Sequence, residues 1–165
     1  MPNWCQNEVT VYAETPSELE EFITIVKGGE EDFSFQSIAP MPEELQGTGS
    51  PTTICTEEEY QEWSKTHHFN EFVNSPITQE MSDRFREQYG ANNWYEWANA
   101  NWGTKWEVSH VSMERSDDNE VRYDFDTAWG PPEGIYATLV ERFPDLNISW
   151  FYREECMQFA GYLPD

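Results

Sequence analysis

Residues 5 to 13 alternate in polarity, with Cys5, Val9, Val11 and Ala13 on one face and Gln6, Glu8, Thr10 and Tyr12 on the other. A period of two predicts a strand with one dry face. Thr15-Pro16-Ser17-Glu18 supplies an N-cap, a proline at the first helical position and a glutamate that closes a capping box. Leu19, Phe22, Ile23 and Val26 then repeat at helical spacing, and Glu18, Glu20 and Glu21 crowd the first turn, where the helix dipole favours negative charge. Gly28-Gly29 ends the helix.

The same grammar returns in the second half. Trp106 to Met113 and Val121 to Thr127 read as strands, joined by the polar turn Arg115-Ser116-Asp117-Asp118-Asn119. Pro131-Pro132 opens a helix that buries Ile135, Tyr136, Leu139, Val140 and Phe143 and stops at Pro144. Ile148 to Tyr152 is a further strand, with Met157 to Tyr162 pairing beside it. The order β-α-insertion-β-β-α-β predicts an α+β, ferredoxin-like split βαβ sandwich. Strand 5–13 should lie between two others, with helices 16–27 and 132–143 on one face, because their apolar stripes need a common surface.

Residues 33–102 do not fit that core. Three helix-like segments start at Thr56 with Glu59, at Thr78 before Met81, Phe85 and Tyr89, and at Asn93 with Glu96. Their aliphatic content is too low to enclose a core unaided, so we expect one domain over 1–165, built as a core of 1–32 and 103–165 with a helical insertion at 33–102.

Charge changes the picture most. Asp+Glu number 32 against 9 Lys+Arg, a formal net charge of −23 over 165 residues. The excess runs through all parts of the chain rather than a tail. Such a field repels nucleic acid and anionic membrane and draws basic partners. With 16% aromatic residues the chain is nevertheless too rich in apolar groups to stay disordered. Cys5, Cys55 and Cys156 form no C-x-x-C pair, which predicts reduced thiols in a cytoplasm and no zinc site. No export signal and no membrane span are expected.

Candidate chemistry is sparse. His67-His68 are adjacent and point apart, and His110 stands alone in a strand, so solvated or satisfied histidines are expected. Carboxylate pairs such as Asp124 and Asp126 are too common here to signal catalysis. No EF-hand spacing, P-loop or nucleophile elbow occurs, and neither cofactor nor metal is expected. Two aromatic sets remain. Tyr123 and Phe125 alternate as stacking residues of an RNA recognition motif do, but without its basic and glycine signature. Trp94, Tyr95, Trp97, Trp102 and Trp106 are either a stacking platform or rings filling a core short of Leu and Ile.

Five stretches resemble the YubB-type ferredoxin-like family of phages, conjugative plasmids and genomic islands: Met1-Pro2-Asn3-Trp4-Cys5 with Asn7 and Val9; Ile38-Ala39-Pro40-Met41-Pro42-Glu43-Glu44-Leu45; Asn101-Trp102-Gly103-Thr104-Lys105-Trp106; Phe125-Asp126-Thr127-Ala128-Trp129-Gly130-Pro131-Pro132; and Phe143-Pro144 with Tyr152 and Glu154. The resemblance implies a ferredoxin-like fold and a mobile-element origin, and it carries over no catalytic role to any residue. The residues give the motifs corner-forming jobs, with Trp102, Trp106 and Trp129 mostly buried and a Trp129→Ala change costing about 3–5 kcal/mol. The other reading is a binding cleft of Asn3, Trp4, Trp102, Lys105, Trp106 and Trp129.

Together these features predict a non-enzymatic, acidic binding protein that occupies the nucleic-acid site of a basic host protein, such as a defence nuclease, restriction enzyme or CRISPR complex. Glu57, Glu58, Glu59 and Glu62, and Asp117, Asp118 and Glu120, are the first choices for that surface. A small-substrate enzyme at the tryptophan corner, or an assembly protein indifferent to charge, are the alternatives. The ligand inventory predicts that EDTA leaves the melting temperature unchanged; a clear drop in a thermal scan would reveal a structural metal.

Overall fold

A strand with one dry face needs neighbours on both edges and a cover on that face, and β1 (Trp4–Tyr12) has both. The structure is a computed structural model that describes residues 2–68 and 74–164; Met1 of the first family stretch lies outside them. After β1 come α1 (Pro16–Val26), α2 (Phe35–Ile38), α3 (Glu43–Gln46), β2 (Ile54–Cys55), α4 (Glu57–Ser64), β3 (Ile77–Thr78) and α5 (Gln79–Tyr89). The second half holds α6 (Trp94–Asn101), β4 (Ser109–Arg115), β5 (Glu120–Ala128), α7 (Glu133–Arg142), β6 (Asn147–Glu154) and β7 (Phe159–Leu163). The chain divides into two units, Met1–Pro40 with Asn101–Asp165, and Met41–Ala100.

The first unit is ferredoxin-like. Its sheet runs β4-β5-β1-β6-β7, antiparallel throughout, with β1 central. Register places Val9 opposite Tyr123 and Trp150, and Asn7 opposite Phe125 and Tyr152, so these side chains share the dry face. α1 lays Leu19, Phe22 and Val26 on it and α7 lays Ile135 and Leu139. Phe22 meets Tyr123 at 6.4 Å, and Tyr136 meets Trp150 at 5.9 Å, which puts both helices on one face as the apolar stripes require. The capping box at Thr15 and Glu18 is formed. In the β4–β5 hairpin, Asn119 donates its backbone N–H to Asp117 Oδ1 (2.7 Å) and its amide to Ala13 O (2.8 Å), tying the turn to the end of β1.

Asn7 is a buried polar residue on the dry face, and it is fully occupied. Its amide donates to Cys5 O and Thr127 Oγ1 at 3.0 and 2.8 Å, and its oxygen accepts from Trp150 Nε1 at 3.0 Å. Hydrogen bonding of this kind is what makes a buried amide affordable. Burial pushes the adjacent Cys5 thiol up to about 12, so it stays protonated.

Residues 33–40, read from the sequence as the start of the insertion, run within this unit. Phe33 is fully buried and stacks on Phe125 at 4.9 Å. Glu107 holds the segment in place, its carboxylate accepting from Phe35 N (2.6 Å), Gln36 N (2.9 Å) and Ser34 Oγ (3.1 Å) at the start of α2. Trp102 donates its indole N–H to Ala39 O at 2.8 Å. Gly134 admits the chain at Asn101, since a Cβ there would lie 2.2 Å from the Asn101 carbonyl oxygen.

The second unit buries Met41, Leu45, Ile77, Phe85 and Trp97 around a parallel pairing of β2 with β3. Polar side chains substitute for missing aliphatics. Thr52 donates to Asn92 Oδ1 and receives from Asn93, both at 2.9 Å; Asn92 donates to Ser82 at 2.8 Å; and Asn93 Oδ1 caps α6 by accepting from Glu96 N at 2.9 Å. Thr56 and Glu59 form the expected capping box on α4.

Phe33→Ala should cost about 3–5 kcal/mol in urea unfolding, as large aromatic truncations in a packed core do. A loss under about 1 kcal/mol would show that the segment is not part of the core.

Candidate functional site

With α1 and α7 on one face of the sheet, the alternate residues of β1, β5 and β6 stand on the other. Gln6 lies between Asp126 and Arg153, and Glu8 between Asp124 and Phe151, in two cross-strand rows. Opposite charges in these rows and the next find each other, and Arg122 comes from the row of Thr10. Arg122 makes a two-pronged contact with Asp124, Nε to Oδ2 at 3.0 Å and Nη2 to Oδ1 at 2.9 Å, and reaches Glu8 at 2.9 Å. The Asp124 hydrogen bonds raise the Arg122 pKa further above its ordinary value. Arg153 donates Nε to Gln6 Oε1 at 2.5 Å, and His110 Nδ1 lies 3.1 Å from Asp126 Oδ2. The pairing of β4 with β5 slips between Ser109 and Ser112, and His110 within that bulge has φ +53°, which aims its imidazole at the row. These side chains bound a groove of about 370 Å³ on the open face.

An aromatic corner adjoins the groove. Trp4 meets His110 at 6.4 Å and Trp106 at 6.2 Å. The Lys105 ammonium lies 4.1 Å from the Trp106 ring and 5.7 Å from the Trp129 ring, a cation held by two indoles. Trp129 ends β5 at φ +71°, in a three-residue turn closed by Gly130 N to Ala128 O at 2.9 Å, and its own N–H donates to Asn3 O at 2.9 Å. A γ-turn of positive φ is the rare and strained hand, and more so for a bulky residue. The indole is 47% exposed.

The structure therefore brings together Asn3, Trp4, Lys105, Trp106 and Trp129 from the sequence-derived cleft and sends Trp102 elsewhere. Trp102 is 5% exposed and packs on Phe35. Burial of all three tryptophans was expected, and for two of them the structure corrects it: Trp106 is 39% exposed and Trp129 more so. For Trp129 the reason is its turn, whose positive φ turns the side chain outward; Trp106 rests against Trp4 and Lys105 at the corner. Tyr123 and Phe125 are core residues, which removes them as stacking groups.

The acidic candidates fall in both units. Glu57, Glu58, Glu59 and Glu62 are exposed on α4, where Glu59 closes the cap, Glu57 accepts from Gln61 and Glu62 pairs with Lys65 at 2.7 Å. Asp117 and Asp118 are exposed at the hairpin tip, and Glu120 is half-buried at the start of β5. Sequence reasoning missed Gln6, Glu8, Arg122 and Arg153, and set aside His110, Asp124 and Asp126. Strict alternation of Arg122, Asp124 and Asp126 with core residues was the available signal. Among the described residues no group of three His, Cys, Asp or Glu could hold a metal ion, and no helix is long and apolar enough to cross a membrane.

Residues 102–164 match the family model described as the ferredoxin-like domain in Api92-like protein. Among solved structures, the crystal structure of a protein Api92 from Yersinia pseudotuberculosis is similar at a TM-score of 0.55 and 13% identity, over 98% of this chain and 93% of that one. At that identity the likeness establishes the ferredoxin-like fold alone. No curated protein matches.

Because the Trp129 indole is half in water and its backbone strained, Trp129→Ala should cost less than about 1 kcal/mol, and Trp129→Gly should leave stability at or above that of the unaltered protein. Urea unfolding checks both; a loss of about 3 kcal/mol or more in either would return the indole to the core.

Proposed function

We propose that this chain is an acidic, non-enzymatic binding protein of a mobile genetic element, of the YubB type, that docks a basic host protein in the cytoplasm and competes there with nucleic acid. Trp129 carries the reading. A bulky residue kept at φ +71° with a solvent-facing indole is not explained by packing; strain retained at such a position is accounted for by a contact made outside the chain. Tryptophan is also the side chain that most often dominates protein interfaces. Lys105, Trp106 and Trp4 extend the patch, and part of the apolar surface of each is open.

Charge supplies the direction of the encounter. A net −23 accelerates association with a basic surface and is screened by salt. Carboxylates at Asp117, Asp118 and Glu120, and at Glu57, Glu58, Glu59 and Glu62, would stand in for phosphates opposite Arg and Lys of the partner.

Immobilised protein should retain a basic partner from bacterial lysate at low salt, release it at high salt and lose it to a double-stranded DNA competitor. Trp129→Ala should weaken the purified complex about tenfold or more. Converting Asp117, Asp118 and Glu120 to their amides should slow association without unfolding the protein. A complex indifferent to salt, DNA and these amides rules out mimicry, and one indifferent to Trp129→Ala rules out the corner.

A further inference from the structure

We propose that the groove on the open face of the sheet is a binding site for a small zwitterion, an α-amino acid with an apolar side chain. Three of its charged groups are already paired with one another. Arg122 spends Nε and Nη2 on Asp124 and Glu8, and those two carboxylates already balance its charge, so it forms a wall rather than a receptor. Two others keep unused capacity at opposite ends of one row. Arg153 spends its Nε on Gln6, and its nearest carboxylate, Glu155 Oε1, stands 4.0 Å from Nη2. Asp126 receives only His110 on Oδ2, and its Oδ1 takes no hydrogen bond among the described residues. Both side chains reach solvent, Arg153 at 55% and Asp126 at 25% exposure.

The spacing suits a ligand with two poles. Asp126 and Arg153 each pair with Gln6, so their backbones are two strand separations apart, roughly 10 Å, and the long guanidinium arm shortens the gap between the charged tips. A carboxylate meets the planar fork of Arg153, and an ammonium meets Asp126. At the end of the neighbouring row, beside Arg153 on β6, the one side chain of apolar character turned into the groove is Phe151, which leans on Tyr162 at 5.2 Å. Phe125 and Asn7 line the groove but point their side chains into the core. The ligand's apolar group therefore rests on Phe151.

The whole-molecule charge selects the same class. A free anion is repelled by a field of −23 before it reaches Arg153, and a free cation has 32 carboxylates to choose from. A zwitterion is neutral in that field and gains from both ends at once in this groove. His110, held over Asp126 by the bulge and the positive φ, fixes the carboxylate that receives the ammonium.

L-phenylalanine is the probe, with N-acetyl-L-phenylalanine and L-phenylalaninamide as analogues lacking one charge each. Calorimetric titration should give a Kd of about 1 mM or tighter for L-phenylalanine. Each analogue should bind about tenfold more weakly, as expected for loss of a charge-assisted pair. Arg153→Gln should reduce affinity for L-phenylalanine to that of the amide while leaving the amide unchanged, and Asp126→Asn should do the converse with the N-acetyl compound. Unchanged melting temperatures confirm that both variants fold. Equal affinity for L-phenylalanine and its amide would overturn the proposal by reducing the groove to a cation trap. Absence of heat up to about tenfold above that Kd would overturn it as well. Neither result touches Trp129, which lies outside the groove.

Discussion

The alternation of β1 between a dry and a wet face is the constraint on which the first unit depends. β1 is paired on both edges, so every residue in it is committed to one side or the other, and a slip of one position would exchange Val9 for Glu8 in the core. That commitment forces both helices onto the face carrying Val9, Tyr123 and Trp150. It equally leaves Gln6, Glu8, Arg122, Asp124, Asp126 and Arg153 together on the other. The groove is a by-product of core formation on which charge pairing then imposed order.

Two backbone outliers shape the edges of that wet face. His110 and Trp129 both hold positive φ, a conformation that costs a bulky or branched side chain on the order of 1–3 kcal/mol. Each sits where a strand is being interrupted, one at the bulge in β4 and the other at the turn leaving β5. The sheet holds the flanking residues in register, and buried contacts such as Thr104 Oγ1 to Ala128 O at 2.8 Å offset the strain. The outcome is two rings aimed outward, His110 against Trp4 and Trp129 under the Lys105 ammonium.

Against an overwhelmingly acidic composition, the placement of the few cations is informative. Arg122, Arg153 and Lys105 stand on one side of the first unit, two in the groove and one between indoles. The carboxylates on α4 are partly used by the helix they begin, through capping and local pairs, so their contribution to any partner contact comes after that use. Steering by the total field and recognition by individual side chains are thus separate properties, and they reside on different residues.

Much of the fold could be read directly along the chain. The period of two in 5–13, the capping boxes at Thr15 and Thr56, the polar hairpin turn and the prolines before α7 are local signals, because each depends on residues within a few positions of one another. Element order then sufficed for the ferredoxin-like topology. What lay beyond the sequence was set by contacts between distant residues or by the sign of a single dihedral angle. Phe33 joins the core because Glu107 captures the chain more than seventy positions earlier. Trp102 is buried while Trp129 is not, although both precede a glycine, because Trp102 finds a carbonyl and a ring to pack on whereas a positive φ turns Trp129 out. The groove exists because cross-strand register sets Asp126, Gln6 and Arg153 in one row, and register between separated strands is a property of the folded sheet alone.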